Sequence, residues 1–316
     1  MNSILIVGAG YVGSQIAGDF AARGHKVYAL NRSRLRYEIL KQEGITFVVA
    51  DLTQPQTLSN LPPASWVVLA PAPDERSESG YRNIYLKGIG HFLQSRQGRF
   101  KPSLMIYLSS IGVYGERDGA WVDETTPLKP TSEREHILAE AEKQILNSGY
   151  PAVILRLAGI YGPGRNRLES VQDQKVKPTP GTSSSEASAG NTGPSSSPIA
   201  SPMGGSQPMP ESYLNLIHRE DIVRAMPVLF EKARGGDIYL GCDDEPVKRS
   251  VFEAWICQNF GKAAAQPIQI RSKVGGKRCR NGKLKALGFS FKFPTFRESY
   301  RSFLTPTLDS RKGDIP

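Results

Sequence analysis

A loop of the form Gly8-x-Gly10-x-x-Gly13 sits between a short apolar run and a helix-like segment, and strand-sized apolar runs then alternate with helix-period segments through the first half of the chain. These two observations predict an α/β protein: a Rossmann-type doubly wound parallel sheet. A third, the end of that alternation, leaves room for a smaller C-terminal lobe. The first strand is residues 4–7, all large and apolar, and it runs straight into the glycines. Gly8 permits a tight turn, Gly10 lets backbone approach a pyrophosphate, and Gly13 lets the helix pack on the strand. The helix that follows, residues 11–23, starts with Tyr11 and Val12 and presents free N–H groups to an anion. A tight turn that binds nothing is the alternative.

Further strands fall at residues 26–30, 46–50, 66–70, 104–108 and 152–157, short and rich in β-branched or large apolar side chains. Helical periodicity marks residues 33–42, 80–96 and 132–147 between them. This alternation needs helices on both faces of a parallel sheet. Residues 175–210 then turn to Ser, Pro, Gly and Thr. So few apolar side chains cannot offset the entropy of ordering, and the segment reads as a disordered insertion in a surface loop. Order returns with a strand over 213–218, a helix over 219–232 and a strand over 237–240. Ser250 is placed to cap a helix over 251–260. A strand at 267–270, a basic helix at 281–287 and a helix at 295–303 complete the pattern. The predicted organisation is a dinucleotide-binding domain over 1–165, the insertion, remaining sheet elements with a substrate lobe over 211–305, and a flexible tail over 306–316.

With 316 residues the chain can bury a large core. Its apolar runs are too short to span a bilayer, and no basic segment precedes the first one, so neither a membrane span nor a signal peptide is expected. The cysteines are Cys242, Cys257 and Cys279, far apart, odd in number and without metal-ligand spacing. That suits a reducing compartment, and a cytoplasmic location is expected. The net charge of +10 raises the question of nucleic acid, but the basic residues are spread out and no recognition motif accompanies them. Attraction of an anionic cofactor or substrate is the preferred use. The partners expected are a small-molecule substrate, anionic if those charges meet it, and a second copy of the chain in a homodimer.

The second strand ends in Asn31 and Arg32, where an NAD site usually carries Asp or Glu for the ribose 2′-hydroxyl. Arg can pair with a 2′-phosphate in a fork, so the cofactor expected is NADP rather than NAD. Asp51, followed by Leu52, either accepts from the adenine amino group or caps the next short helix. Ala70 and Pro71, after the fourth strand, fit a backbone that must lie close under a ligand.

The glycine loop, Asp51-Leu52, Leu108-Ser-Ser-Ile-Gly-Val-Tyr-Gly115, Leu155-Arg-Leu-Ala-Gly-Ile-Tyr-Gly-Pro163 and Ile217-His-Arg-Glu-Asp-Ile222 come in the order of the extended short-chain dehydrogenases/reductases, the group of NAD(P)-dependent epimerases and dehydratases, which the chain resembles. The resemblance implies that Ser110 hydrogen-bonds a substrate oxygen. It also implies a Tyr-x-x-x-Lys on the next helix, which is missing. Matching Leu138-Ala-Glu140 puts Ser132 at the tyrosine place and His136 at the lysine place. A serine hydroxyl is a poor acid or base near neutrality, so an imidazole at His136 is the candidate base, with an exposed helical histidine as the alternative. Tyr114, Ile111 and Gly112 follow Ser110. The proton donors considered are therefore Tyr114, His136 and water. Ile111 and Gly112 replace the acidic pair of dehydratases, and Gly159 replaces the Asn of sugar-nucleotide members, so neither activity is expected. Arg156 reads as a structural charge. Two functions remain: an atypical NADP-dependent oxidoreductase or epimerase on a small carbonyl or alcohol, and a cofactor-binding sensor or scaffold without turnover.

Overall fold

The computed structural model describes residues 1–33, 44–115, 117–166, 212–261 and 276–302. The expected helix at 33–42, the insertion at 175–210, the strand at 267–270 and the tail at 306–316 lie essentially outside them.

Strands β1 (Ser3–Val7), β2 (Lys26–Asn31), β3 (Thr46–Val49), β4 (Trp66–Leu69), β5 (Leu104–Ser110), β7 (Ala152–Leu157) and β11 (Ile238–Gly241) form one sheet in the order β11-β7-β5-β4-β1-β2-β3. Every pairing in it is parallel. Between β1 and β2 runs α1 (Gly13–Ala22). After β4 comes α2, which comprises Glu78–Tyr81, a π-helical stretch Arg82–Gly88 and Ile89–Arg96. Helix α3 (Glu133–Leu146) precedes β7, and α4 (Arg219–Lys232) precedes β11. Two apolar cores result. One, with Ile4, Ile6, Ile16, Phe20 and Met226, lies under α1 and α4; the other, with Leu5, Val7, Phe92, Tyr107 and Ile145, lies under α2 and α3. Successive side chains of β1 thus go to opposite faces, as a sheet covered on both sides requires.

The remaining elements build the C-terminal lobe. They are β6 (Trp121–Val122), β8 (Gly159–Tyr161), β9 (Tyr213–Leu214), β10 (Leu216–His218), β12 (Val247–Lys248), α5 (Arg249–Phe260), β13 (Arg278–Cys279), α6 (Gly282–Ala286) and α7 (Phe296–Ser302). The single strand expected at 213–218 is two, because its halves pair differently: β9 runs antiparallel to β12 and β10 parallel to β8. At the break, the Asn215 side chain donates to the Lys277 carbonyl at 2.8 Å and accepts from the Cys279 amide at 2.8 Å. Ser250 does not cap α5; the helix begins two residues earlier than expected, at Arg249, with Lys248 in the cap position. Among the described residues no helix is long and apolar enough to cross a membrane.

Candidate functional site: a dinucleotide cleft at the carboxyl edge of the sheet

The sheet order reverses beside β1, whose two neighbours are β2 and β4. In an open α/β sheet such a reversal leaves a crevice beyond the strand ends. A cavity of about 300 Å³ opens there, lined by Gly8, Gly10, Asn31, Arg32, Asp51, Leu52, Ala70 and Pro71, and by Ile84 from the π-helical stretch. The chain folds this way locally because the loop leaves no alternative. Gly8 has φ +96°, and a Cβ there would lie 2.4 Å from the Ala70 carbonyl oxygen. A Cβ on Gly13 would lie 2.2 Å from the Gly8 oxygen. At Gly10 the nearest atom to an added Cβ is 4.0 Å away, so that position faces open space.

Helix α1 begins just past this opening. Val12 occupies its cap position with no side-chain cap; the amides of Ser14, Gln15 and Ile16 already donate to the Gly10 and Val12 carbonyls, so the backbone left to a ligand is that of the turn just before them. The set fits a pyrophosphate: bare backbone, an uncapped helix start and room where a side chain would stand. Val12 itself is buried in the core, so its backbone and not its side chain is available to a ligand. Tyr11 points the other way. Its hydroxyl donates to the Pro163 carbonyl at 3.0 Å, and the guanidinium groups of Arg219 and Arg165 lie 4.4 and 5.5 Å from its ring centroid. Arg219 is not singled out by the sequence. Its stacking on Tyr11 joins residues 208 positions apart, which no local pattern could signal.

Asn31 lines the cleft, but its amide is engaged in holding the loop. Nδ2 donates to the Ala9 carbonyl at 3.1 Å and Oδ1 accepts from the Ser33 amide at 3.2 Å. Arg32 is exposed at the cleft mouth and forms an ion pair with Asp74, on the loop after β4. Asp51 accepts from the Thr53 amide and hydroxyl, both at 2.8 Å and both through Oδ1. That is a turn within its own loop. The cap position of the short helix Pro55–Leu58 belongs to Gln54 instead. Leu52 and Ala70 supply apolar walls.

Ser110 ends β5 and caps the 3₁₀ turn Ile111–Tyr114. Its Oγ accepts from the Gly112 amide at 3.1 Å, which leaves the hydroxyl proton for an acceptor elsewhere. The two side chains considered as proton donors, Tyr114 and His136, are not brought to it. Tyr114 is fully buried; its hydroxyl donates to the Asp123 carbonyl and accepts from Arg156 Nη1, both at 2.7 Å. Burial pushes this phenol up to about 12, although Arg156 pulls the other way. It is an anchor for the 120s loop. His136 is exposed and lines a shallow groove with Ala139, Glu140 and Lys143, on the outer side of α3. Ser132 is the helix cap, reciprocally bonded with Glu135.

Glu142, which no sequence motif singles out, explains the phase of α3. Its carboxylate accepts from Arg156 Nη2 at 2.7 Å, Arg156 Nε at 3.1 Å and Ser109 Oγ at 2.6 Å, all buried. Burial opposes charge on Arg156, but the Glu142 carboxylate holds the guanidinium firmly protonated. One turn earlier on that face stands Leu138, with Cδ1 3.6 Å from where a Gly112 Cβ would be; one turn before that is Arg134, over the Tyr81 ring at 5.4 Å. His136, two residues from each, is rotated about 200° away. A buried Arg on β7 requires a buried acid, and Glu142 meets it from the face of α3 that carries Leu138, Ala141 and Ile145; Glu135 shares that face by spacing, so the helix period alone does not choose between them.

In the lobe, Asp221 caps nothing. Its oxygens accept from the Lys292 and Phe293 amides at 2.7 and 3.0 Å, and the cap of α4 is His218, whose Nδ1 accepts from the Glu220 amide. Burial holds His218 down at about 4.

The sheet order, the reversal beside β1 and the glycine-lined cleft define a Rossmann-like α/β protein. The family model "NAD dependent epimerase/dehydratase family" matches residues 4–179, and the chain belongs to that family. It is 28% identical over 304 residues to Protein YeeZ of Escherichia coli (strain K12), covering 93% of this chain and 97% of that one. A Methylobacillus flagellatus structure named for the NAD-dependent epimerase/dehydratase family superposes with TM-score 0.71 at 26% identity, covering 96% of this chain and 97% of that one. A Thermus thermophilus UDP-glucose 4-epimerase, solved with NAD, gives TM-score 0.70 at 21% identity over 95% and 96% of the two chains, and is similar in fold.

Proposed function

We propose that the chain is an NADP-preferring oxidoreductase or epimerase of its family, acting on a small carbonyl or alcohol. The observation that carries this reading is Arg32 at the mouth of the cleft, where NAD sites hold a carboxylate. The Thermus enzyme was solved with NAD, so the preference for the 2′-phosphate rests on Arg32 alone. Gly8, Gly10 and the start of α1 would hold the pyrophosphate, Arg32 the phosphate on the ribose, and Ala70 and Pro71 the underside of the ligand. A bound nicotinamide supplies a hydride acceptor or donor. Ser110 Oγ then donates to the substrate oxygen and draws charge from the carbon that exchanges the hydride. With Tyr114 locked by Arg156 and Asp123, and His136 on the outer side of α3, water in the open cleft exchanges the proton.

The test is a titration of the purified chain with NADPH and NADH, followed by turnover on a panel of carbonyl compounds. NADPH is expected to bind more tightly, and Arg32→Glu to weaken NADPH far more than NADH. Absence of binding below millimolar for both would overturn the reading, and tighter NADH would overturn the Arg32 argument. Ser110→Ala is expected to lower kcat/KM by about 100-fold, the usual cost of one donor to a developing oxyanion. Unchanged turnover would remove Ser110 from the mechanism.

A further inference from the structure

We propose that Asp74 sets the balance between the two dinucleotides, by engaging Arg32 against a 2′-phosphate and by offering ribose hydroxyls the carboxylate that β2 lacks. This rests on the dinucleotide reading of the cleft. In an NAD site the acceptor for the ribose comes from the end of the second strand. Here that residue is Asn31, and both ends of its amide are engaged, by Ala9 and Ser33. A carboxylate paired with Arg32 comes from a different loop. Asp74 follows β4, lines the same cavity as Arg32, and makes an ion pair with its Nη2. The pair therefore stands at the ribose end of the cleft, between the loops after β2 and β4.

Its exposure decides how it behaves. The Arg32 and Asp74 side chains are 50% and 61% exposed, so water screens the pair and a better ligand can displace either partner. A 2′-phosphate is such a ligand for Arg32, with more charge than a carboxylate and a shape that suits the guanidinium fork. To take Arg32 it must displace Asp74 and then stand near that carboxylate. Asp51, which also acts on Arg32 through its charge, adds a second negative group on the same wall. A 2′-hydroxyl has no such conflict. It can donate to Asp74 while Arg32 stays paired. Asp74 thus penalises NADP and accommodates NAD, and it offsets part of the preference that Arg32 creates. It is a positioning residue for Arg32 and a direct acceptor only for the unphosphorylated ribose.

The experiment measures dissociation constants of the full chain for NADPH and NADH, at one low salt concentration, for wild type, D74N, D74E, R32Q and R32Q/D74N. D74N should tighten NADPH by about fivefold and weaken NADH by about twofold, so the selectivity ratio moves by about tenfold toward NADPH. D74E restores the charge and should stay within about twofold of wild type. In the R32Q background the gain from D74N should fall to about twofold or less, because the residue acts through Arg32. An unchanged ratio in D74N, an equal gain for both nucleotides, or a full gain without Arg32 each overturns the proposal. The two readings separate cleanly. Failure of wild type to bind either nucleotide defeats the dinucleotide reading and this inference with it. An NADPH preference that R32Q abolishes and D74N leaves untouched defeats this inference alone.

Discussion

Glu142 and Arg156 are the residues on which the site's geometry depends. Each is almost fully buried, and together they tie α3 to β5, β7 and the turn after Ser110. Breaking such a pair leaves one charge in a dry interior without its partner, at a cost of about 3–5 kcal/mol. Glu142→Gln is therefore expected to lower the unfolding free energy in urea by that amount, and a loss below about 1 kcal/mol would show the pair to be dispensable. The same pair explains what the sequence does not give away. The Leu-Ala-Glu match at 138–140 ends on the exposed Glu140, whereas the buried acid is Glu142; Ser132 caps α3 and His136 lies on its exposed side. A one-dimensional motif carries no information about which of two nearby glutamates faces the sheet. Arg156, by contrast, is legible as a structural charge because it sits inside an apolar strand.

His218 gives the residue scale its pH dependence. Buried and held at about 4, it binds fewer protons in the folded chain than its unfolded value near 6.5 allows. Its contribution to stability is thus complete above the unfolded value and is lost as pH falls from about 6.5 toward 4. The loss should amount to about 3 kcal/mol in urea denaturation, and His218→Asn, which can still cap α4, should flatten that slope. A slope unchanged in the variant would assign the effect to other groups.

At the scale of elements, the glycine loop is the most legible part of the chain and the least tolerant. Gly8→Ala places a side chain at φ +96° and 2.4 Å from a backbone oxygen that no rotamer can relieve. We expect more than about 2 kcal/mol of destabilisation, with weakened NADPH binding in whatever fraction folds. Near-native stability would mean that the loop after β4 can shift. The lobe is harder to read. Its strands are two or three residues long, and their partners lie far off in sequence, so periodicity has nothing to measure. Asn215 joins β13 to the break between β9 and β10 through two buried hydrogen bonds. Asn215→Ala should cost about 2–3 kcal/mol and raise hydrogen exchange at the Cys279 amide, while the amides of β1 and β4 keep their protection.

For the whole molecule, the net charge of +10 acts at a distance as well as at contacts. NADPH carries more negative charge than NADH, so its binding should weaken more steeply as salt rises and the screening length falls from about 10 Å at 0.1 M to 3 Å at 1 M. Equal salt slopes for the two nucleotides would argue that Arg32 and the surrounding field play no part. The doubly wound sheet itself is legible from alternation alone, because each of its first six strands is a compact apolar run beside a helix-period segment. Sheet order is not, since nothing in a strand names its neighbour. The seventh strand shows the consequence. β11 pairs with β7 although β7 ends at Leu157 and β11 begins at Ile238. During synthesis, then, the six earlier strands emerge first, and the flank of β7 waits with its N–H and C=O groups unpaired until some eighty further residues have left the ribosome. An open parallel edge of Val153, Ile154 and Leu155 is a template for a neighbouring nascent chain. The interval between those two strands is the stretch of synthesis during which that edge stands open.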